Sequence, residues 1–453
     1  MIVESLRSKH PEFVYESFEI QRATNTVMVD FNFRLAPDIT FHPKVVLPIL
    51  RDVEQNDLNT FAFHLGLIET ISYWKAACSP KLIVRAGQLD EQQVRWWHDL
   101  FIHGLGEFFY RNQINFTKPD FLSIVSHVDA PKRAPISPKS LSGDLIMVGG
   151  GKDSTVTLQM LDQFTTRRNV FMLNPTKAAR NSALAAGYHE PLVVQRTLDN
   201  KLLELNKQGY LNGHTPFSAY LAFLSVFVGV LHDYQHILTS NEQSAGEFNT
   251  TYRGLEINHQ YSKSLRFERM FREYCHRYLQ PDIQYYSFLR PLYELQIAKL
   301  FSQTADEDKS FCSCNVKRGE SWCGECPKCA FVYLSLFPFL TDERMQNIFG
   351  KDFFAEPSIQ KHIIDLVGLG TLKPFDCVGT REESVMAVGL AIKKYEANRQ
   401  RVPDFLVTLR NRLGLTEEQI NNTFERRLKS DWSNNHFLPP EYANLLKKKL
   451  SQL

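Results

Sequence analysis

Two stretches of the 453-residue chain carry residue types at spacings that can do chemistry. Residues 144–154 read DLIMVGGGKDS. An apolar run passes directly into Gly149, Gly150 and Gly151, then Lys152, Asp153 and Ser154, with a helical pattern behind. Three glycines let the backbone approach a ligand with its N–H groups turned inward. A helix start adds its positive end at the same spot. That is an anion cradle. Gly-Lys is followed here by Asp and the G-x4-G spacing is absent, so it is not a Walker A loop. Asp153 is the loop residue suited to Mg²⁺, which favours one or two carboxylates plus phosphates.

The second stretch, residues 311–329, reads FCSCNVKRGESWCGECPKC. Cys314, Cys323, Cys326 and Cys329 offer four thiolates, and Zn²⁺ takes tetrahedral sulfur. Four protein ligands leave no open position, so such a site is structural. Cys312 is the alternative to Cys314, and an iron–sulfur cluster is the alternative to zinc.

Three polar loops adjoin apolar elements: NGHTPFS at 212–218, SNEQSAGEFN at 240–249 and NHQYSKS at 258–264. His214 and His259 are acid/base candidates, with helix capping and surface exposure as their plain structural readings. Thr215, Asn241, Glu242 and Ser244 are substrate-binding candidates, and Arg253 and Lys263 suit a carboxylate or phosphate. Cys377 lies in the glycine-rich segment 368–380. A thiol carries protons when its pKa is tuned, and otherwise is an inert buried group.

These residues need a scaffold. Residues 15–20 and 26–33 read as a β-hairpin, 60–77 and 90–110 as helices, the second opened by Asp90 with Gln93 three positions on. Residues 129–142 contain three prolines and read as a linker. Short apolar strands at 145–148, 169–173, 192–195 and 236–240 then alternate with helices, which argues for a parallel sheet, and 283–288 adds a further strand. The expected fold is α/β. It has an α+β domain over 1–140, a central parallel-sheet domain with the cysteine segment over 141–340, and a mainly helical region over 341–453.

Composition bounds the function. Lys and Arg total 52 and Asp and Glu 50, for a net charge of +2. That gives no field for charge-driven nucleic-acid or membrane binding. The most apolar stretch, 216–231, is shorter than the ~20 residues a spanning helix needs and reads as a buried helix. There is no basic-then-apolar leader, and five of eight Cys crowd between 312 and 329. Both point to a cytoplasmic protein with metal-ligating thiols. No obligatory protein partner is evident.

The glycine loop resembles the PP-loop of the ATP pyrophosphatase family, Ser-Gly-Gly-x-Asp-Ser: Gly150, Gly151, Asp153 and Ser154 match, and Gly149 stands in place of the first Ser. The cysteine spacing is similar to the zinc site of 7-cyano-7-deazaguanine synthase, another PP-loop enzyme. The stretches YESFEI, ISYWKAACSPK, GLGEFFYRNQI, NGHTPFSA, SNEQSA, QYSKS, WCGECPKC and KPFDCVGT extend the likeness to essentially the whole chain. Together they resemble the family of UDP-N-acetylmuramoyl-L-alanyl-L-glutamate epimerases. The resemblance implies ATP-dependent inversion of the terminal L-Glu of a nucleotide-sugar dipeptide in peptidoglycan biosynthesis. It also implies Mg²⁺, with AMP and diphosphate as by-products. A PP-loop ligase and an RNA-modifying PP-loop enzyme are the alternative functions.

Overall fold

The computed structural model describes residues 2–50, 53–132, 136, 139–304, 310–317 and 319–453. The expected linker at 129–142 lies partly outside them. The fold is α/β with a large mixed sheet. Its strands are β1 (Glu12–Arg22), β2 (Thr26–Leu35), β3 (Ile39–Phe41), β4 (Lys44–Pro48), β5 (Lys81–Val84), β6 (Ser123–Ser126), β7 (Asp144–Met147), β8 (Arg168–Leu173), β9 (Leu192–Thr197), β10 (His236–Thr239) and β13 (Gln284–Ser287). Strands β11 (Thr250–Tyr252) and β12 (Leu255–Ile257) form a separate hairpin. The chain divides into two compact units. The first comprises residues 1–145, 192–237 and 251–285, the second 146–191, 238–250 and 286–453.

In the first unit the strand order is β9-β4-β2-β1-β5-β6, with β3 on β2. The expected hairpin is β1 and β2, antiparallel, and β4 continues the antiparallel run. β5 and β6 add on parallel. Alternation in β2 buries Val27, Val29, Phe31, Phe33 and Leu35 on one face. They pack as period-2 strands must, with Phe33 against Tyr15 at 5.2 Å and Tyr73 at 5.5 Å between ring centres. Tyr73 belongs to the helix Gln55–Trp74, which is buried over almost all its length. The helix Glu91–Gly104 opens on the expected Asp90/Gln93 capping box.

The strand expected at 192–195 is present as β9, and β4 pairs with it antiparallel. Arg196 of this strand ties it to the helix Gln55–Trp74. Its guanidinium makes two bonds to buried Glu69 of the helix Gln55–Trp74, at 2.8 and 2.6 Å, and one to Ser72 at 3.0 Å. It also stacks 4.4 Å from the Tyr220 ring. A bidentate pair fixes orientation as well as position, so the strand is held against that helix.

Strands β7, β8, β10 and β13 follow the order β13-β10-β7-β8. β10 and β13 run parallel, since Gln284 N–H donates to Gln235 O and Phe288 N–H to Thr239 O, both at 2.8 Å. Beyond residue 290 the described chain is mostly helical. The apolar segment forms the buried helix Phe217–Leu231, and among the described residues no helix is long and apolar enough to cross a membrane.

Removing one partner of a buried ion pair leaves the other charge stranded, at a cost of about 3–5 kcal/mol. Glu69→Ala is therefore expected to lower unfolding free energy by about that amount, read from urea denaturation of the full chain. An unchanged midpoint would show that the pair does not hold β9.

Candidate active site

In the second unit β7 feeds the glycine loop, and Gly151 caps the helix Lys152–Leu161. Gly150 has φ +83°, and a Cβ there would lie 2.3 Å from the Ala179 nitrogen, so backbone geometry and space both demand glycine. Gly149 differs: a Cβ there would meet nothing within 4 Å. The absence of the family's serine is not forced by crowding. Ser154 Oγ donates to Gly151 O at 3.0 Å.

Lys152 is buried, with its ammonium on the carboxylates of Asp153 and Glu294. Burial works against that charge, but the two carboxylates outweigh it and keep the lysine protonated. Carboxylate oxygens of Asp153, Glu242 and Glu294 lie within 4.8 Å of one another. Burial pushes Glu294 up, Lys152 opposes, and the neighbouring carboxylates add to the push. Glu242 is buried, and Arg290 donates to its carbonyl at 2.6 Å. Asn241 is tied down from both sides: its Nδ2 donates to Thr239 Oγ1 at 3.0 Å and its carbonyl accepts from Ser287 Oγ at 2.5 Å. Ser244 is buried in the turn Gln243–Gly246.

The four expected thiols come together within 4.8 Å. Cys314 belongs to the group and Cys312 does not; the Cys312 N–H donates to Gly150 O at 2.9 Å. Backbone N–H groups of Lys317, Glu325 and Cys329 each point at a sulfur, of Cys314, Cys323 and Cys326 respectively, at 3.4 Å. Cys326 also caps the helix Pro327–Leu336. N–H donors and a helix start both favour thiolate over thiol, which is the state a metal needs.

Cys377 is half-buried and forms no disulfide. Its loop is clamped at four points. Lys373 pairs with Glu247, and Asn249 Nδ2 donates to Pro374 O at 2.7 Å. Asn315 Nδ2 donates to Asp376 Oδ1 at 2.6 Å, and Lys328 donates to Cys377 O. Asp376 Oδ1 in turn accepts from Cys377 N–H at 2.8 Å. Two of these clamps, Asn315 and Lys328, come from the cysteine segment itself.

The first unit holds the two histidines. His259 Nδ1 is 2.5 Å from Glu107 Oε2, and His214 Nδ1 is 3.5 Å from the same oxygen. The ring centres are 4.4 Å apart. Arg111 Nε bonds the other oxygen, Glu107 Oε1, at 2.5 Å. Burial alone would raise the Glu107 pKa, but His259, His214 and Arg111 together bring it below the usual range. Burial, then His259, push His214 down to about 3 against the pull of Glu107. The His214 loop is held from either side. Lys75 donates to Gly213 O and, at 2.8 Å, to Thr215 Oγ1, while Asn112 Nδ2 reaches Asn212 O at 3.1 Å. Burial, then Arg196, bring Lys75 down to about 8. Arg253 stands exposed at the hairpin turn with φ +56°, its guanidinium 5.5 Å from the Tyr252 ring centre. Lys263 is half-buried in the short turn Tyr261–Lys263.

Glu107, Lys75 and Glu294 escaped the sequence reading. Each is a charged residue inside an apolar run, and that was the available signal.

Residues 4–288 match the family description MurL N-terminal domain, and residues 309–420 match MurL C-terminal domain. A relative from a Micromonospora species is 32% identical over 447 residues, covering 96% of this chain and 97% of its own. The chain belongs to the MurL family. Another member, from Xanthomonas oryzae pv. oryzae, is 34% identical over 339 residues, 73% of this chain and 74% of its own. A third, from Salinispora tropica, is 33% identical over 391 residues, 83% and 84%. All three are named UDP-N-acetyl-alpha-D-muramoyl-L-alanyl-L-glutamate epimerase. This MurL-family chain is accordingly an enzyme of the epimerase class.

The two loop glycines separate cleanly in a stability test. Gly150→Ala is expected to cost about 1–3 kcal/mol, because strain and overpacking coincide there. Gly149→Ser should leave thermal unfolding where it is. Equal shifts in the two variants would contradict the loop geometry.

Proposed function

We propose that this chain inverts the terminal L-Glu of UDP-N-acetylmuramoyl-L-alanyl-L-glutamate to D-Glu, at the expense of ATP. The observation that carries the ATP part is the glycine loop at a helix start beside Asp153, Glu242 and Glu294. Backbone N–H groups there bind phosphate oxygens. The three carboxylates would hold Mg²⁺, which neutralises phosphate charge. A cavity of about 430 Å³, lined in part by Lys177, Asn181, Trp322 and Phe349, gives a nucleotide room. It shares Ala178 and Cys312 with the surroundings of Gly150.

The chemistry explains why an isomerisation would need ATP. The α-amine of the terminal Glu is locked in a peptide bond, so no Schiff base can form. Its free α-carboxylate resists removal of the Cα proton, because the product would be a dianion. A carboxylate oxygen attacks the α-phosphorus of ATP, the bond to the β-phosphate breaks, and diphosphate leaves. The acyl-adenylate carbonyl is then an electron sink. A base takes the Cα proton, an acid returns one to the opposite face, and water releases AMP and the D-Glu product. His214, His259 and Cys377 are the candidates for moving the proton. Asn241, Ser244 and Thr215, with Arg253 and Lys263, are the candidates for binding substrate.

Cys314, Cys323, Cys326 and Cys329 fit a structural Zn²⁺. Its task would be to hold the segment that carries Asn315 and Lys328, and through them the Cys377 loop. Reduced thiols and ATP both suit the cytoplasm.

Incubation of the protein with ATP, Mg²⁺ and the L-Glu precursor in heavy water is expected to give AMP, diphosphate, a D-Glu product and ATP-dependent deuterium at Cα. ADP in place of AMP, or no change of configuration, would sink the reading. Cys377→Ala should block inversion while AMP formation persists; a variant that still inverts Glu removes Cys377 from the proton path. Elemental analysis after mild purification is expected to find one zinc per chain. Iron in its place would replace the zinc assignment.

A further inference from the structure

The two histidines are natural candidates for the two faces of an epimerised carbon. Their geometry argues otherwise. Bases on opposite faces must each come within about 3 Å of the carbon's substituent, from opposite sides. Rings whose centres are 4.4 Å apart are in contact and leave no room for a carbon between them. Both also turn the same nitrogen, Nδ1, toward one oxygen of one carboxylate.

That carboxylate is Glu107. It is buried, and its other oxygen is occupied by Arg111, so it cannot rotate away without breaking a charge-assisted bond. An anionic Glu107 accepts, so His259 must donate its Nδ1 proton, which fixes the tautomer of the neutral ring and gives Nε2 the lone pair. Should Nε2 take a proton, the carboxylate stabilises the resulting imidazolium. His214 lies against the same charge but has been driven toward neutrality by burial and by His259. Two imidazoles in contact do not both become imidazolium at modest cost. Lys75 and Asn112 hold the His214 loop on this arrangement from either side.

We infer that Glu107 is the positioning residue that joins His214 and His259 into one acid/base unit serving a single face of the epimerised carbon. This rests on the epimerase reading above. The other face is served by a proton carrier outside this cluster.

The test uses the full chain with Glu107→Gln and Glu107→Asp. Glutamine keeps shape but loses the charge that fixes the tautomer; aspartate keeps the charge on a shorter arm. Inversion by Glu107→Gln is expected to fall about 10²-fold or more in kcat, with KM within about threefold and AMP formation retained. Glu107→Asp should recover part of the loss. Wild-type inversion in Glu107→Gln would overturn the inference. So would kcat, KM and AMP formation all falling together with no advantage for aspartate, which is the mark of a structural role. Stoichiometric Co²⁺ binding by the wild type that Glu107→Gln abolishes would also overturn it, in favour of a metal centre. Failure of the epimerase reading is distinguishable: the wild type would then show no inversion at all.

Discussion

An ammonium withdrawn from water has to be neutralised where it stands. Lys152 imposes that requirement on the second unit. Its partners come from the next residue, Asp153, and from Glu294 at the head of the helix Glu294–Ser302. One buried charge thus fixes the start of the loop helix against a second helix and holds two carboxylates beside the glycine loop. The same logic recurs wherever the chain needs a loop kept still. Lys373 is buried on Glu247, Lys328 on the Cys377 carbonyl and Lys75 on the Gly213 carbonyl, and half-buried Arg196 is paired with buried Glu69. Long basic side chains are ordinarily the most mobile on a protein. Here desolvation converts them into fixed clamps, because leaving any one unpaired would cost several kcal/mol.

These clamps differ in what they hold. Arg196 ties a strand to a helix of the first unit. The others hold backbone that has no regular structure of its own, namely the His214 loop and the Cys377 loop. Loops carry function but cannot stabilise their own conformation. A carbonyl bound by a buried lysine is as well placed as one in a helix.

Much of this was legible in the sequence because it is local. The glycine loop, the four-thiol spacing, the Asp90 capping box and the β1–β2 hairpin each depend on residues a few positions apart. The choice of Cys314 over Cys312 was not, because both spacings satisfy a metal and only the fold sends the Cys312 N–H to Gly150. The Arg196–Glu69 pair was illegible for the same reason: the two are far apart in sequence, and an arginine at the end of an apolar run names no partner. Glu107 and His259 are 152 positions apart. The histidines could be picked by their surroundings, but their shared carboxylate could not, and without it they look like two independent bases.

The bond from Cys312 N–H to Gly150 O has a further reach. Two residues beyond it begins the thiol cluster, and the hydroxyl of the intervening Ser313 lies 2.8 Å from where a Gly151 Cβ would be. A rearrangement of those sulfurs would therefore reach the glycine loop through the backbone of Cys312. The position of that loop is coupled to the chemical state of four sulfurs that are not part of it.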